Sequence, residues 1–337
     1  MKKTISHRLL RLALVLVACA AAALGWLGYY ANSVVSPAQT PLQFSLKAGS
    51  SLRSAAQQMV DAGLLGEPAR FVLLARLLGE AGNIKAGNYE VEGPITPLQL
   101  LRKITEGDYT QDVITFVEGW SFRQIRKALA EHPALRHDTK DLSDADILLR
   151  LEITELSPEG WFFPDTYHFS RGNGDIAILH RAHRLMRANL AAQWERRAPE
   201  LPLKTPYEAL ILASIIEKET GQTAERPLIA AVFVNRLRIG MKLQTDPTVI
   251  YGLGEGFDGN LRKRDLATDT PYNTYTREGL PPTPIAMPGL ASLSAALNPA
   301  ESDALYFVAK GDGSSQFSRT LDEHDRAVTK YQKSGRR

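Results

Sequence analysis

The sequence predicts an α+β protein behind an N-terminal transmembrane helix, and three observations support this prediction. Residues 12–30 form an apolar run without a charge. Two later segments each read as a short strand, a glycine turn and a helix-start signal. Long helical patterns between residues 177 and 238 then give way to a stretch rich in proline, glycine and tyrosine, and to a late strand at Leu305–Ala309. Strands and helices that occur without regular alternation are typical of α+β folds.

The apolar run Leu12–Tyr30 covers 19 residues, about enough to cross a bilayer as a helix. Four basic residues and no acid precede it, so residues 1–11 are predicted to stay in the cytoplasm: Lys2, Lys3, Arg8 and Arg11. Two alternatives stay open. The Ala-Ala-Ala run suggests a cleaved signal peptide, and Leu16-Val-Ala-Cys19 loosely fits a lipoprotein cleavage box. The eleven mostly apolar residues after Cys19 favour a retained anchor.

The charge of the chain excludes a nucleic-acid binder. Its formal net charge is +3, from 40 basic and 37 acidic residues. Setting aside the four basic residues of the anchor leaves 36 basic against 37 acidic residues, a net charge of −1. A near-neutral body lacks the basic surface that nucleic acid requires. Cys19 is the single cysteine, so no disulfide can form within the chain.

Beyond the anchor, composition suggests a linker, two domains and a tail. Residues 31–41 are small, polar and proline-bearing, as expected of a linker. Ser45–Arg53 and Thr115–Arg123 share Gly, Ser and Arg at an offset of 70 residues, a short match that chance could also produce. We predict a small strand-and-helix domain at residues 42–110, a larger α+β domain at 111–330 and a basic tail at 331–337.

A glutamate at the end of a buried helix is the main candidate for chemistry. Thr205, Pro206 and Glu208 form a helix-start signal, and the apolar run that follows predicts a helix of roughly four turns ending before Gly221. Burial disfavours a charged carboxylate, so Glu217 should be able to hold a proton near neutral pH and to protonate a leaving oxygen. A second helix from about Pro227 to Arg238 should pack against it as an antiparallel hairpin.

Pattern alone favours a simpler interpretation of this helix end, in which Glu-Lys-Glu is a solvated last turn. Glu219 fits that interpretation. Two residues after Glu217, it points about 200° around the helix from it, so the helix cannot present both side chains to one substrate.

Several blocks, in order, resemble the MltG/YceG-like endolytic murein transglycosylases. The most specific is Ala213-Ser-Ile-Ile-Glu-Lys-Glu-Thr220. The others are Lys85–Tyr89, Glu159–Tyr167, Leu243–Tyr251, Pro271–Tyr275, Gly279–Ile285 and Tyr306–Gly313. The resemblance runs from about residue 40 nearly to the end and implies that Glu217 is catalytic. One departure is Gln316, which stands where the family often has histidine.

The resemblance implies a single-pass inner-membrane enzyme, N-terminus in the cytoplasm and body in the periplasm, with a LysM-like unit at residues 42–110. Its substrate would be the β-1,4 bond between N-acetylmuramic acid and N-acetylglucosamine in peptidoglycan. Such a lyase needs no cofactor or metal and would limit or terminate nascent glycan strands. Peptidoglycan synthases or division proteins would be its partners, without the sequence identifying them.

The resemblance implies cleavage without water: one glutamate protonates the bridging oxygen and then, as carboxylate, takes the proton of the C6 hydroxyl, which closes a 1,6-anhydro ring on muramic acid. One residue can serve both steps, because donating a proton creates the base that is needed next. Two alternatives stay open. A hydrolytic muramidase would use Glu217 with Asp246, although an aspartate before proline is also a common turn residue. A glycan-binding scaffold would need no catalytic residue.

The polar and aromatic residues after the hairpin are predicted to bind sugar. Tyrosines offer an apolar face and a hydroxyl group, and amides can bond acetamido groups. The predicted substrate-binding residues are Gln244, Asp246, Thr248, Tyr251, Tyr272, Asn273 and Tyr275. On pattern alone they could equally be packing and turn-capping residues. His180 and His183 have a helical spacing that could hold a metal, but no acidic or cysteine ligand accompanies them.

Overall fold

The computed structural model describes residues 2–108, 112–155 and 157–333. Of the predicted basic tail at 331–337, residues 334–337 lie outside the described residues, as does the predicted domain boundary at residues 110–111. The chain forms two compact units. The first comprises Met1–Asp112 with Phe169–Arg171, and the second comprises Val113–His168 with Gly172–Arg337. Both mix helices and strands, so the predicted α+β class is confirmed.

The first unit begins with the apolar helix α1, Lys2–Asn32. Its stretch Leu10–Asn32 is long and apolar enough to cross a membrane. The helix continues beyond the predicted end at Tyr30, because Leu27 and Ala31 are buried in the core of the first unit. Val35 then pairs with Ile95. The C-terminal end of α1 and the residues directly after it therefore pack against the rest of the first unit.

Two strands and three further helices complete the first unit. The strands β1 (Leu42–Leu46) and β2 (Gly87–Val91) pair antiparallel, with Phe44 opposite Tyr89. The helices are α2 (Leu52–Asp61), α3 (Pro68–Leu77) and α4 (Pro97–Glu106). Their apolar faces form one core with the strands, and Tyr89 is fully buried within it.

Two further two-stranded sheets and nine further α-helices follow among the described residues, and all of them except Asp112 and Phe169 belong to the second unit. The strands are β3 (Asp112–Thr115) with β4 (Thr166–Phe169), and β5 (Tyr306–Ala309) with β6 (Ser315–Ser318). The helices are α5 (Phe122–Glu131), α6 (Asp144–Arg150), α7 (Asp175–Glu195), α8 (Pro206–Glu219), α9 (Arg226–Arg238), α10 (Asp246–Leu253), α11 (Lys263–Ala267), α12 (Leu290–Leu297) and α13 (Leu321–Val328).

The short internal repeat is confirmed as a repeated piece of backbone. In each copy a strand is followed by a glycine with positive φ, +76° at Gly49 and +78° at Gly119. A serine then caps the next helix through its side chain, Ser51 for α2 and Ser121 for α5. Glycine is favoured at these two turns because the left-handed region excludes most other side chains.

The predicted hairpin of two helices is also confirmed, as α8 and α9. The side chain of Thr205 accepts from the backbone N–H of Glu208, which fixes the start of α8. Every residue from Ala209 to Ile216 is buried, because α8 packs against α7, α9, α10 and α12. A short turn at Thr223–Glu225 then leads directly into α9. The charged residues of the second half of α8 therefore all lie in its last turn.

The stretch from Lys242 to Pro299, which is rich in proline, glycine and tyrosine, nevertheless contains three helices, α10, α11 and α12. α10 starts with Asp246-Pro247, where proline suits the first turn of a helix. Asn273 holds the following loop together: its amide donates to the carbonyl oxygens of Asp265, Leu266 and Thr268. These elements are stabilised by local capping and by one buried amide, and they therefore lack the long periodic pattern from which helices are predicted.

Candidate active site

Glu217 stands in the last turn of α8 with a nearly buried side chain, 5% exposed. Its Oε1 lies 2.9 Å from Nη2 of Arg226, and its Oε2 accepts the backbone N–H of Gly289 at 2.9 Å. The Arg226 side chain is 7% exposed, so this is a buried ion pair. Both oxygens of the carboxyl group are therefore occupied by donors from other parts of the chain.

A second carboxyl group, Glu118, adjoins the same guanidinium group. Its Oε2 lies 3.7 Å from Nη2 of Arg226, and its side chain is 48% exposed, far more than that of Glu217. Burial raises the pKa of Glu118, the negative charge of Glu217 raises it further, and Arg226 partly opposes both. Two carboxyl groups therefore share one cation at the end of α8.

The turn that carries Glu118 is hydrogen-bonded to the segment that precedes α12. The backbone N–H of Gly119 donates to the carbonyl oxygen of Met287, and the N–H of Met287 donates to that of Trp120. Nζ of Lys218 donates to the carbonyl oxygen of Gly119 at 3.3 Å. The segment before α12 is thus tied to the Glu118 turn by backbone hydrogen bonds, and Gly289 closes the arrangement by binding Glu217.

Gly289 is a glycine for a steric reason. A Cβ atom at this position would lie 1.8 Å from Oε1 of Glu118, well inside van der Waals contact. Its φ of −79° is open to any residue, so the absence of a side chain serves the neighbour and not the backbone. Glu118, Arg226 and Gly289 were not predicted as site residues from the sequence. The one available signal was that Glu118 occupies the position of Ala48 in the repeat, a carboxyl group where the first copy has none.

A cleft of about 690 Å³ opens beside this group. Its lining includes Gly119, Phe122, Glu159, Lys218 and Tyr251. A cleft of several hundred Å³ with a few convergent polar groups is the usual form of a ligand site. Its wall thus includes both Gly119, which follows Glu118, and Lys218, which follows Glu217.

Glu159 is a buried carboxyl group in the wall of this cleft, 4% exposed. Its Oε1 accepts the backbone N–H of Phe122 at 2.9 Å, and its Oε2 accepts the hydroxyl of Tyr251 at 3.1 Å. Burial raises the pKa of Glu159 from its ordinary 4.5 to about 7, although both hydrogen bonds oppose the shift. Glu159 thereby links the start of α5 to α10 across the cleft.

Of the predicted sugar-binding residues, Tyr251 lies in the wall of the cleft and Tyr272 packs against it edge to face, with ring centroids 5.0 Å apart. The hydroxyl of Tyr272 is within 2.9 Å of Oγ1 of Thr283. The Asn273 amide is engaged in its own loop, and its Oδ1 accepts from the backbone N–H of Tyr275. Binding of sugar by these residues stays a prediction.

Asp246 lies in a separate polar group. Its Oδ1 accepts the hydroxyl of Tyr275 at 2.5 Å. Within the described residues no hydrogen bond or ion pair joins Asp246 to Glu217. Gln244 has a positive φ of 48° and is exposed, whereas Thr248 is fully buried and bonds the carbonyl oxygen of Thr245.

The solvated position expected for Glu219 is wrong. Its Oε1 accepts the hydroxyl of Thr245, and burial raises the pKa of Glu219, with the Thr245 hydrogen bond opposing and the charge of Asp246 adding to the rise. The chain before α10 covers the end of α8, which periodicity within the helix does not reveal. Glu217 and Glu219 nevertheless bind different partners, as their separation around the helix predicted.

His183 and Gln316, which the sequence had singled out, are not among the residues that contact Glu217. His183 packs edge-on against Trp161, and burial lowers the pKa of its imidazole to about 4. In the described parts of the chain no three His, Cys, Asp or Glu side chains are grouped as metal ligands would be. Gln316 lies in β6, where its amide donates to the carbonyl oxygen of Phe317.

Known proteins that are similar to this chain in sequence or structure all point to one family. The model of the YceG-like family matches residues 44–330. A Bacillus subtilis protein named endolytic murein transglycosylase is 32% identical over 324 residues, 90% of this chain and 89% of that protein. A Streptococcus pneumoniae protein of the same name is 27% identical over 349 residues, 90% of this chain and 62% of that protein. The crystal structure of a yceG-like protein from Listeria monocytogenes superposes with a TM-score of 0.54 and 30% identity, covering 85% of this chain and 98% of that one.

Proposed function

Because this chain belongs to the YceG-like family, we propose that it is a membrane-anchored lytic transglycosylase that cleaves peptidoglycan strands internally. The bond broken is the β-1,4 link from N-acetylmuramic acid to N-acetylglucosamine. The observation that carries the proposal is Glu217, a nearly buried carboxyl group held by Arg226 and Gly289 beside a cleft of about 690 Å³.

In the proposed mechanism the carboxyl group of Glu217 works twice. It first gives its proton to the bridging oxygen, and the bond from that oxygen to the anomeric carbon of muramic acid breaks. The resulting carboxylate then takes the proton of the C6 hydroxyl, whose oxygen bonds to the same anomeric carbon and closes a 1,6-anhydro ring. Glu217 ends with the proton it began with, and water takes no part.

The surroundings of Glu217 support the second half of this cycle. The guanidinium group of Arg226 and the N–H of Gly289 stabilise the carboxylate that the first proton transfer creates. A charge stabilised by preformed donors needs little rearrangement when it appears.

The ends of the products distinguish this reaction from hydrolysis. We expect fragments that finish in 1,6-anhydro-muramic acid, lighter by one water than hydrolytic fragments, and no label at new ends after digestion in ¹⁸O water. Asp246→Asn should keep substantial activity, because Asp246 binds Tyr275 and a transglycosylase needs no second carboxylate to activate water. Mass spectrometry of released fragments is the measurement. Labelled reducing ends together with an inactive Asp246→Asn variant would establish a muramidase instead.

We further propose that the anchor is retained and places residues 31–337 in the periplasm. The span Leu10–Asn32 and the basic residues before it support this orientation. Protease added to spheroplasts should therefore digest the body of the protein while a cytoplasmic control stays intact. A body that stays protected while a periplasmic control is cut would reverse the topology.

The first unit, with its antiparallel strands and short helices, supports a LysM-like assignment as a proposal. Such a unit would hold glycan that contains N-acetylglucosamine. Retention of the full-length protein on immobilised oligomers of that sugar would support it, and the absence of retention would remove it.

A further inference from the structure

With the proposed anchor in place, the order of contacts along α1 indicates which side of the first unit is nearest to the membrane. α1 runs outward from the span, so an earlier residue of the helix lies closer to the lipid. Leu27 and Ala31 are buried in the core of the first unit, and Val35, after α1, pairs with the segment before α4. Trp26 precedes all of these, and Cζ of Arg70 lies 5.5 Å from the centroid of its ring. α3, which carries Arg70, therefore meets α1 on the membrane side of the first unit.

The depth of Trp26 follows from the length of the span Leu10–Asn32. From Leu10 to Trp26 an α-helix rises about 25 Å, and the hydrocarbon layer of a bilayer is about 30 Å thick. The core of the first unit covers α1 from Leu27 onward, so a deeper span would draw that core into the lipid. Trp26 is thus placed at the outer edge of the hydrocarbon layer, where tryptophan is enriched in membrane proteins. Arg70, beside its ring, is then at the level of the lipid phosphates.

α3 has apolar side chains on its outer face as well as on the face that forms the core. Phe71, Leu74 and Ala75 are buried, whereas Leu73 is 45% and Leu77 is 60% exposed. Their spacing of four residues places these two leucines next to each other on one side of the helix. A helix whose outer face meets only water usually carries polar side chains there.

The exposed apolar side chains of the first unit are concentrated at α3. In residues 33–108, all of which the structure describes, the large ones are Val34, Leu73, Leu77 and Leu78. Leu78 is the C-terminal cap of α3, so three of these four belong to that helix. The neighbouring helices α2 and α4 instead expose polar side chains: Arg53, Ser54, Gln57, Asp61, Gln99, Arg102 and Glu106. Apolar side chains grouped on one exposed face mark an interaction surface.

Arginines flank the exposed leucines of α3. Arg70 and Arg76 are both exposed, and the helix itself contains no acidic residue. Glu67 directly precedes it, and Oε2 of Glu67 lies 3.2 Å from Nε of Arg70. Both side chains of this pair are well exposed, so the pair is weak, and the guanidinium group has further N–H donors for a phosphate. Leucines among basic residues are typical of a helix that lies in the membrane interface.

We propose that α3 rests on the outer leaflet of the membrane that α1 spans: Leu73 and Leu77 enter the boundary between headgroups and acyl chains, and Arg70 and Arg76 bind lipid phosphates. This inference rests on the proposed anchor and goes beyond it, because a single span alone does not fix the orientation of the domain outside. With α3 on the lipid, the first unit is held against the membrane surface. Any glycan that it binds is then glycan close to that surface.

The test locates single side chains in the purified full-length protein, with one copy in each lipid nanodisc of phosphatidylethanolamine and phosphatidylglycerol. Leu73→Cys and Leu77→Cys, each combined with Cys19→Ser, receive a nitroxide label. The label's collisions with oxygen, which is enriched in lipid, and with a water-soluble nickel complex are measured. Oxygen collisions should exceed nickel collisions at both positions, with the labels about 5–10 Å into the interface. Glu92→Cys, an exposed site in the same unit and near the segment that pairs with Val35, is the matched control and should give the reverse order.

Nickel collisions that exceed oxygen collisions at either leucine position, in folded protein, would overturn the proposal. Both side chains are exposed, so their replacement leaves the core intact, and thermal unfolding of each labelled protein checks this. A label at Leu73 that is shielded only in nanodiscs with two copies would also overturn it, by assigning this face to a second copy of the chain.

The natural Cys19, exposed on α1, separates this result from failure of the anchor. Labelled in the wild type, Cys19 should report lipid. A label at Cys19 that reports water would remove the anchor and with it the role of α3. Lipid at Cys19 together with water at Leu73 and Leu77 would remove the role of α3 alone.

Discussion

Glu217→Gln should abolish most glycan cleavage, with a rate loss of about 10²-fold or more. The amide keeps the size of the side chain and one acceptor oxygen, but it can neither donate a proton to the bridging oxygen nor remove one from the C6 hydroxyl. The measurement is the rate at which anhydro fragments are released from purified peptidoglycan. Binding to glycan should change little and the variant should stay folded, but its unfolding temperature should fall, because the amide accepts from only one of Arg226 and Gly289 and leaves the buried guanidinium group without its nearest charge partner.

Glu219→Gln is the matched control for this prediction. It makes the same change two residues away, at a partly buried side chain that binds Thr245 instead of Arg226. Its activity should fall much less than that of Glu217→Gln. A well-folded Glu217→Gln variant that still cleaves glycan would remove Glu217 from the mechanism, and equal losses in the two variants would point to damage at the end of α8.

Glu159→Gln should change how stability depends on pH. Burial raises the pKa of Glu159 from 4.5 to about 7 in the folded protein. Because the folded state binds this proton more tightly than the unfolded state, the resulting stabilisation is complete below pH 4.5 and is lost as pH rises through about 7. The full shift corresponds to about 3 kcal/mol of unfolding free energy. The glutamine variant has no such proton, so its stability relative to the wild type should improve by about that amount from pH 4.5 to pH 8.

The measurement is denaturant unfolding of both proteins at pH 4.5, 6 and 8, followed by tryptophan fluorescence. Trp161, two residues from Glu159 and buried, makes the signal sensitive to this part of the second unit. Glu131→Gln, which changes an exposed carboxyl group at the end of α5, serves as the control. Its unfolding free energy should depend on pH in the same way as that of the wild type. A stability difference between Glu159→Gln and the wild type that is the same at all three pH values would contradict the shift.

The sequence predicts those parts of the site that depend on local pattern. The cap at Thr205 and the apolar run after it predict α8, its burial and the place of Glu217 within it. The glycine turn and serine cap predict both copies of the strand-to-helix segment. These features follow from rules that act within one or two helical turns.

The rest of the site could not be predicted, because it depends on contacts between distant parts of the chain. Glu118, Arg226 and Gly289 come from three different elements and meet only through the packing of α8 against its neighbours. Glu219 carries the polar signature of a solvated turn and is covered by a residue 26 positions later. Asp246 resembles a second catalytic acid in sequence, yet its hydrogen bond goes to Tyr275.

The repeated strand-to-helix segment has a consequence for the substitutions that each copy tolerates. The same backbone appears twice, with Ala48 before the glycine in one copy and Glu118 in the other. Gly49 faces open space, whereas Gly119 faces Lys218 and Glu217. A substitution in the first copy therefore has only the turn to preserve, whereas one in the second must preserve both the turn and its contacts with α8.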